Sequence, residues 1–275
     1  MTIARADFIE GMAKGLAVLE SFDTERQRLN ATQAAQRAGI TRAAARRHLL
    51  TLNHLGYLET DGSHFWLSAK VLRFSGSYLA SARLPRAAQP TLNRLAAQTR
   101  DAFSVAVLEG DASVIVARSV ATLALQSGDW DSTSLGPGLG KKGNSRLMAY
   151  GLHLGARLPA HATSTGRVLL AALAPGELSA WLKDRTLARL TPQTTVQPTA
   201  LRRLLRQVRE DDFCLATEEH ELGVLALAVP LRNMQGRTVA ALNVVASPQA
   251  HPPETLKQTL LPLLQEAARE VRALL

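Results

Sequence analysis

The sequence predicts an α+β fold in two domains, the first mainly helical and the second built from helices and antiparallel hairpins. Its 275 residues are long enough for two ordinary domains, and 46% apolar with 20% charged residues indicates a packed chain. Apolar side chains first recur at helical spacing, whereas two β-rich runs around Gly110 and Asp111 begin a region of hairpins. This change of pattern along the chain separates the two domains.

The overall composition indicates which kinds of partner and which cellular compartment to expect. The net charge of +9 favours a polyanionic partner. No apolar run approaches the roughly 20 residues of a membrane helix, and the N-terminus lacks the apolar core of a signal peptide. The single cysteine, Cys214, allows no internal disulfide and fits a reducing compartment. We therefore expect a cytoplasmic protein with no membrane partner.

Two short helices joined by a tight turn are predicted near the N-terminus. In "LNATQAAQRAGITRAAARRHLLTLNHLG", Asn30 or Thr32 can cap a first helix that Gly39 ends, and Thr41 can cap a second that Gly56 ends. An amphipathic helix, "GMAKGLAVLESF", precedes the pair. Two capped helices across such a turn form a helix-turn-helix pattern.

The second of these helices is predicted to contact DNA. Ala45, Leu49 and Leu52 share one apolar face, while Arg42 and Arg46 lie four residues apart on another. In a helix-turn-helix the start of the second helix reaches base edges in the major groove, where arginine can bind guanine with two hydrogen bonds. The candidate DNA contacts are Thr41, Arg42, Arg46, Arg47 and His48. Of these, Arg47 is the candidate for a phosphate contact. A solvated basic face on a plain helical bundle is the alternative.

A hairpin and a connecting helix are predicted next. "YLETDGSHFWLSAKVL" is typical of two short strands around Asp61 and Gly62, and a hairpin in this position is a wing. A winged helix-turn-helix domain is thus expected over residues 1–68. "AKVLRFSGSYLASARL" predicts a linker helix over residues 69–84 that ends where Pro85 interrupts the pattern. The second domain then covers residues 85–275.

The second domain mixes strands with helices. "FSVAVLEGDASVIVARSV", "FCLATEEHELGVLALAVPL" and "TVAALNVVA" indicate strands, and helices are expected over residues 175–183, 198–211 and 254–275. Residues 121–145 are rich in Gly, Ser and Pro and predict a long loop, whose "GPGLGKKGNS" lacks the spacing of a phosphate-binding loop. "EEHE" at residues 218–221 lacks the two-histidine spacing of a zinc site and predicts a polar turn. We expect neither a cofactor nor a metal.

The segment "LPAHATSTGRVLLAAL", residues 158–173, allows three interpretations. A nucleophile would need a base, for which His161 is the only local candidate, and the Gly-X-Ser-X-Gly elbow is absent because Ala162 occupies its first position. A purely structural interpretation needs only Thr163 or Ser164 as a helix cap. A third interpretation adds an anion to that cap, because free amides and the helix dipole attract a carboxylate.

Several motifs resemble one known family. "LPAHATSTGRVLLAAL", "EEHELGVLALAVPL" and "GRTVAALNVVA", behind a winged helix, are similar to segments of the IclR family of bacterial transcription regulators. "AKGLAVLESF", "RQRLNATQAAQRAGITRAAARRHL", "GSHFWLSAKVLRFS" and "TEEHELGV" are most similar to the members that regulate aromatic-acid catabolism. The resemblance implies a regulator and not an enzyme, expected to be an activator that responds to 4-hydroxybenzoate. The alternatives within the family are repression, and protocatechuate, β-ketoadipate or another small carboxylate as effector. The alternative from a different class is an enzyme that binds a small molecule.

The resemblance also implies an assembly. The second domain would be a GAF-like effector domain with an antiparallel sheet, and the protein would form homodimers or tetramers. These would bind a double-stranded DNA operator and, in an activator, contact RNA polymerase. Relatives have a shorter connection between Arg118 and Arg146, so residues 121–145 resemble an insertion.

With the resemblance, the anion interpretation of "HATSTGR" is favoured over the other two. The carboxylate of an aromatic acid would lie near the amides of Ser164, Thr165 and Gly166. Arg146 is an alternative partner for the carboxylate. If Arg146 bound it, the ligand would lie in the opposite orientation. The candidates for the ring and then for the hydroxyl are Leu147, Tyr150, Val224, Ala226, Val245, Glu219, His220 and Asn243.

Overall fold

The computed structural model describes residues 3–23, 26–119, 153–248 and 251–275. It divides into two compact units, Met1–Ser81 and Ala82–Leu275. The loop predicted over residues 121–145 lies outside the described residues, as do three candidate effector contacts, Arg146, Leu147 and Tyr150.

The first unit contains the predicted helix-turn-helix. Asn30 accepts hydrogen bonds from the amides of Thr32 and Gln33, and the Gln33 side chain accepts from the amide of Asn30, which completes a capping box. Gly39 adopts a φ of +66°, a left-handed conformation that suits glycine at the end of a helix. The three helices are α1 (Glu10–Glu20), α2 (Ala31–Ala38) and α3 (Arg42–His54).

The predicted wing follows α3. Strands β1 (Leu58–Thr60) and β2 (Phe65–Leu67) pair antiparallel across residues 61–64. The Asp61 carboxylate accepts hydrogen bonds from the amides of His64 and Ser63, and these bonds lower its pKa to about 2. The wing loop is therefore closed by its own side chain.

The predicted linker helix over residues 69–84 is interrupted in the structure. A short 3-10 turn, Ala69–Val71, leads into α4 (Leu72–Ser81), and a new helix, α5 (Arg83–Thr99), starts after Ala82. Pro85 therefore lies inside the first turn of α5 and does not mark the break. A proline is tolerated there because the first amides of a helix have no partner within the helix.

The second unit is an α+β domain, as predicted. Among its described residues, six strands form one antiparallel sheet in the order β5-β4-β3-β8-β7-β6. The further elements are β3 (Ala102–Glu109), β4 (Ala112–Arg118), β5 (Arg157–Pro159), a 3-10 turn (Ala160–Ala162), α6 (Ser164–Ala171), α7 (Pro175–Leu182), α8 (Pro198–Asp211), β6 (Cys214–Thr217), β7 (Leu225–Arg232), β8 (Thr238–Ala246) and α9 (Pro253–Arg272).

The two faces of the sheet differ in side-chain size. Along β7, Leu225, Leu227 and Val229 point to the face that packs against α5 and α9. Ala228 points to the opposite face, where α6 and α8 pack. This alternation is the period of two that a strand imposes on its side chains. No helix in the described ranges is long and apolar enough to cross a bilayer.

Gly166 is required by close packing inside α6. A Cβ at this position would lie 2.3 Å from both Cα and the carbonyl oxygen of Ala160, whose backbone cannot move aside freely. We expect Gly166→Ala to lower the free energy of unfolding by about 1–3 kcal/mol, which is the usual cost of overpacking. Gly176→Ala in α7 is the matched control, because a Cβ there meets nothing within 4 Å. Urea unfolding of both variants measures the difference, and equal stabilities would contradict the packing argument.

Candidate functional site

The second unit contains a cavity between the start of α6 and the sheet. It holds about 590 Å³ of empty space, which includes space open to solvent. One part of its lining precedes or begins α6, and consists of Leu158, Ala162, Thr163, Ser164 and Thr165. The cavity is therefore built around a helix N-terminus.

The sheet and one loop supply the rest of the lining. Ala216, Ala226 and Val245 come from β6, β7 and β8, where Ala226 and Val245 are register partners. Asn243 adds a polar group from β8. The loop between β6 and β7 contributes Glu219, His220, Glu221 and Val224. Small apolar side chains from the sheet thus face polar groups from the helix and the loop.

The start of α6 offers hydrogen-bonding groups that no other described residue uses. Thr163 caps the helix, and its hydroxyl accepts from the amide of Gly166 at 3.2 Å. The amides of Ser164 and Thr165 have no acceptor in the part of the chain that the structure describes. The Ser164 hydroxyl is also buried there without a partner. Because buried polar groups normally have partners, this end of the cavity is suited to a polar or anionic ligand group.

Two contacts orient other polar groups of the lining. Ser104 donates a hydrogen bond to the side-chain oxygen of Asn243, and both residues are buried. The NH₂ group of Asn243 then has no acceptor among the described residues, and so it can donate to a ligand. Ser113 shares a hydrogen bond of 2.8 Å with the Thr165 hydroxyl and ties β4 to the start of α6.

A buried ion pair connects the helix start to the loop. Arg167 is fully buried, and its guanidinium donates to both carboxylate oxygens of Glu219. Its Nε donates to the carbonyl oxygen of His161 at 2.7 Å. The Glu219 carboxylate also accepts from the amide of Thr195 at 2.8 Å. The pair therefore joins three segments around the cavity.

The surroundings of this pair set the ionisation of its neighbours. Burial by itself would raise the pKa of Glu219, but the hydrogen bonds and charge of Arg167, with the bond from Thr195, lower it overall. Burial raises the pKa of the Cys214 thiol to about 11, although Arg167 is close to it. Glu219 is therefore ionised and Cys214 is a neutral thiol at neutral pH.

The remaining titratable groups of the loop are His220 and Glu221. Burial lowers the pKa of His220, and the nearby His161 lowers it further, so His220 is neutral at neutral pH. Burial raises the pKa of Glu221. No described group of three or more His, Cys, Asp or Glu side chains is arranged to hold a metal ion.

The geometry does not support the nucleophile interpretation of "HATSTGR". An activated serine needs a base within hydrogen-bonding distance. Nε2 of His161 is instead 2.9 Å from the carbonyl oxygen of Ala188, and the Ser164 hydroxyl has no partner among the described residues. The segment lacks a serine–histidine pair.

Most of the described candidate effector contacts lie together in the lining. The eight are Ser164, Thr165, Glu219, His220, Val224, Ala226, Asn243 and Val245. Gly166 departs from the prediction, because it is not part of the lining, its amide donates to Thr163 and its missing side chain makes room for Ala160. The sequence interpretation missed Arg167 and Ser104. A charge within the apolar run "GRVLLAAL" was a usable signal for Arg167, since a buried charge needs a partner.

The first unit presents the candidate DNA contacts at the start of α3. Thr41 caps α3 by accepting from the amide of Ala44 at 3.3 Å. His48 is half-buried and lies next to Gly15 of α1. Arg37 binds Asp23 and the carbonyl oxygen of Ser21. The three exposed arginines of α3 are Arg42, Arg46 and Arg47.

Family comparisons agree with both units. The IclR helix-turn-helix domain matches residues 11–62, and the C-terminal domain of the bacterial transcriptional regulator IclR matches residues 141–273. The chain belongs to the IclR family. It is therefore a transcriptional regulator that binds DNA, and it is not an enzyme.

Individual IclR-family relatives are similar over almost the whole chain. The Pca operon regulatory protein of Acinetobacter baylyi is 49% identical, covering 99% of this chain and 91% of the relative. The p-hydroxybenzoate hydroxylase transcriptional activator of the same organism is also 49% identical, and the match covers 99% of this chain and 94% of the relative. The solved structure of an IclR homologue from Microbacterium hydrocarbonoxydans, complexed with 4-hydroxybenzoate, has a TM-score of 0.70 and is 25% identical. This match covers 96% of this chain and 98% of the relative.

A second solved structure matches the effector domain of this IclR-family chain. It is the inducer-binding domain of the PobR transcription factor from Acinetobacter, a double mutant in complex with 3-hydroxybenzoic acid. Its TM-score is 0.58 at 42% identity, and it covers 70% of this chain and 99% of the relative.

The lowered pKa of Glu219 predicts a pH-dependent stability of this regulator. Because the folded-state pKa lies below the ordinary 4.5, the ion pair stabilises the fold fully above that value and less as the pH falls through the folded-state pKa. We expect Glu219→Gln to lower the free energy of unfolding by about 3–5 kcal/mol at neutral pH, because the Arg167 charge remains buried. The difference from the unmodified protein should shrink in acid.

Urea unfolding at several pH values measures this difference. Glu266→Gln is the control, since Glu266 is exposed on α9. A difference that stays constant from neutral to acidic pH would show that the Glu219 charge does not stabilise the fold.

Proposed function

We propose that this IclR-family regulator activates genes of aromatic-acid catabolism in response to 4-hydroxybenzoate bound in the cavity. The observation that carries the proposal is the unused set of donors at the start of α6, above all the buried Ser164 hydroxyl without a described partner. A repressor, or a regulator that responds to protocatechuate, is the second candidate, because a catechol would occupy the same apolar space.

The carboxylate of the effector would bind at the start of α6. The amides of Ser164 and Thr165 and the Ser164 hydroxyl are available there, and the helix dipole favours an anion. The amide of Gly166 already donates to Thr163, and so it takes no part. Arg146 lies outside the described residues and stays the alternative partner from the sequence.

The ring and the hydroxyl of the effector would occupy the rest of the cavity. Ala226, Val224 and Val245 provide an apolar surface for the ring. The NH₂ group of Asn243 has no acceptor among the described residues and can donate to a phenol oxygen, and neutral His220 offers a second polar partner. We assign Glu219 to the structure of the site and not to direct contact, because its oxygens are already bonded.

The named relatives support this effector class. One relative at 49% identity is named for activation of p-hydroxybenzoate hydroxylase. Two similar structures contain 4-hydroxybenzoate and 3-hydroxybenzoic acid. These ligands share one carboxylate, one aromatic ring and one hydroxyl, which correspond to the three parts of the cavity.

We further propose that two copies of the chain bind a DNA operator with approximate two-fold symmetry. Exposed apolar side chains on α4, namely Leu72, Phe74 and Tyr78, support a dimer, because this helix has no buried residue among its ten. In this proposal, residues 1–68 bind DNA, residues 69–84 form the linker and residues 85–275 bind the effector. Tetramers, contact with RNA polymerase and a cytoplasmic location complete the proposal.

Ser164→Asp should suppress effector binding. The new carboxylate would occupy the anion site and repel the carboxylate of the ligand, so we expect affinity for 4-hydroxybenzoate to fall by about a hundredfold. Thr199→Asp is the matched control, because it places the same charge at the exposed start of α8, outside the cavity. Titration calorimetry measures both. Saturable binding that survives Ser164→Asp would move the site, and no binding to the unmodified protein would reject the effector.

Arg46→Ala should weaken binding to the operator. If Arg46 reads a base, the loss is about 1–3 kcal/mol and is confined to specific DNA. Arg237→Ala removes the same charge from the turn between β7 and β8 and serves as the control. Band-shift titrations against a selected operator and a random duplex distinguish the cases. An equal loss on both duplexes would make Arg46 a phosphate contact.

A further inference from the structure

The cavity has a buried cation beside it, and the charge of that cation is already neutralised. Arg167 is fully buried and does not line the cavity, whereas Glu219 does. Both oxygens of Glu219 accept from the guanidinium, and the amide of Thr195 adds another donor. An anion that enters the cavity therefore meets the Glu219 carboxylate before the guanidinium behind it.

The rest of the loop offers no positive charge. Glu221 adds a second acidic side chain to the lining. His220 between them is neutral at neutral pH, because burial and the nearby His161 lower its pKa. No lysine or arginine is present among the described lining residues. The Arg167–Glu219 pair carries no net charge and Glu221 adds a negative one, so the described loop wall offers an anion no cation, while the start of α6 is the part of the cavity suited to an anion.

We infer that Glu219 and Glu221 make the cavity selective for acids with a single carboxylate and exclude acids with two. The inference rests on the proposed function, in which one carboxylate binds at the start of α6. A second carboxylate would lose its hydration next to a guanidinium that Glu219 already neutralises, next to the acidic Glu221 and next to an apolar sheet. A neutral ring with a hydroxyl avoids this cost. Aromatic monocarboxylates therefore fit the described wall, and aliphatic dicarboxylates do not.

Two substitutions separate the contributions of the acidic groups. Glu219→Gln keeps the size of the side chain and leaves the Arg167 charge without its counter-ion, so a second ligand carboxylate gains a partner. Glu221→Gln removes the neighbouring acid and leaves the Arg167–Glu219 pair unchanged. Glu266→Gln on α9 is the control, because it changes the net charge equally at an exposed position outside the cavity.

Titration calorimetry of the full chain with benzoate, 4-hydroxybenzoate, adipate and β-ketoadipate tests the inference. We expect the unmodified protein to bind the monocarboxylates at least about tenfold more tightly than the dicarboxylates. Glu219→Gln and Glu221→Gln should each reduce that ratio severalfold, and Glu266→Gln should leave it unchanged. Thermal unfolding of each variant shows whether it is folded. If Glu219→Gln is not folded, the binding ratio of Glu221→Gln alone tests the inference.

The outcomes distinguish this inference from the proposed function. Equal binding of the two classes, a preference for dicarboxylates, or a ratio that changes as much in Glu266→Gln overturns the selectivity and leaves a carboxylate site in place. A ratio that no folded variant changes also overturns it. Failure of all four acids to bind overturns the proposed effector class and the inference with it.

Discussion

The architecture of the second unit around its cavity depends on the ion pair between Arg167 and Glu219. A fully buried guanidinium is stable only with a counter-ion and bonded N–H groups, and here Glu219 and the carbonyl oxygen of His161 provide both. Because Arg167 lies on α6 and Glu219 on the loop between β6 and β7, their contact fixes two walls of the cavity relative to each other. The bond from Thr195 adds a third segment to the same point.

Beside this ion pair, the described part of the cavity contains polar groups without partners and empty space. Glu219 bonds to Arg167 and to the amide of Thr195, and no described residue bonds to the Ser164 hydroxyl. The sheet contributes empty space, since alanines occupy the face towards α6 while leucines and valines fill the opposite face of β7. A packed core on one side and a ligand space on the other thus follow from one alternating strand. The donors are held in place before a ligand arrives, which lowers the entropic cost of binding.

Local signals in the sequence predicted most of the fold. The caps at Asn30 and Thr41, the turn at Gly39 and the bounds of α8 depend on neighbouring residues, and the structure has them as expected. The break before α5 was misplaced, because Pro85 is compatible with a first turn as well as with a boundary. The candidate site was predicted in part. The partner of Arg167 is 52 residues away along the chain, and pairing over that distance is set by the packed sheet and not by periodicity.

The role of Gly166 shows the same limit at the scale of one side chain. The sequence predicted that its amide lies near the carboxylate of the effector, yet that amide donates to Thr163 and the missing Cβ makes room for Ala160. That contact brings the 3-10 turn against α6 and so sets the position of His161, whose carbonyl oxygen receives Arg167. His161 is thereby held in a structural role, with its ring bonded to Ala188 and not to Ser164. The packing at the start of α6 thus also keeps serine and histidine apart, as the proposed function requires, because a regulator that senses an acid does not react with it.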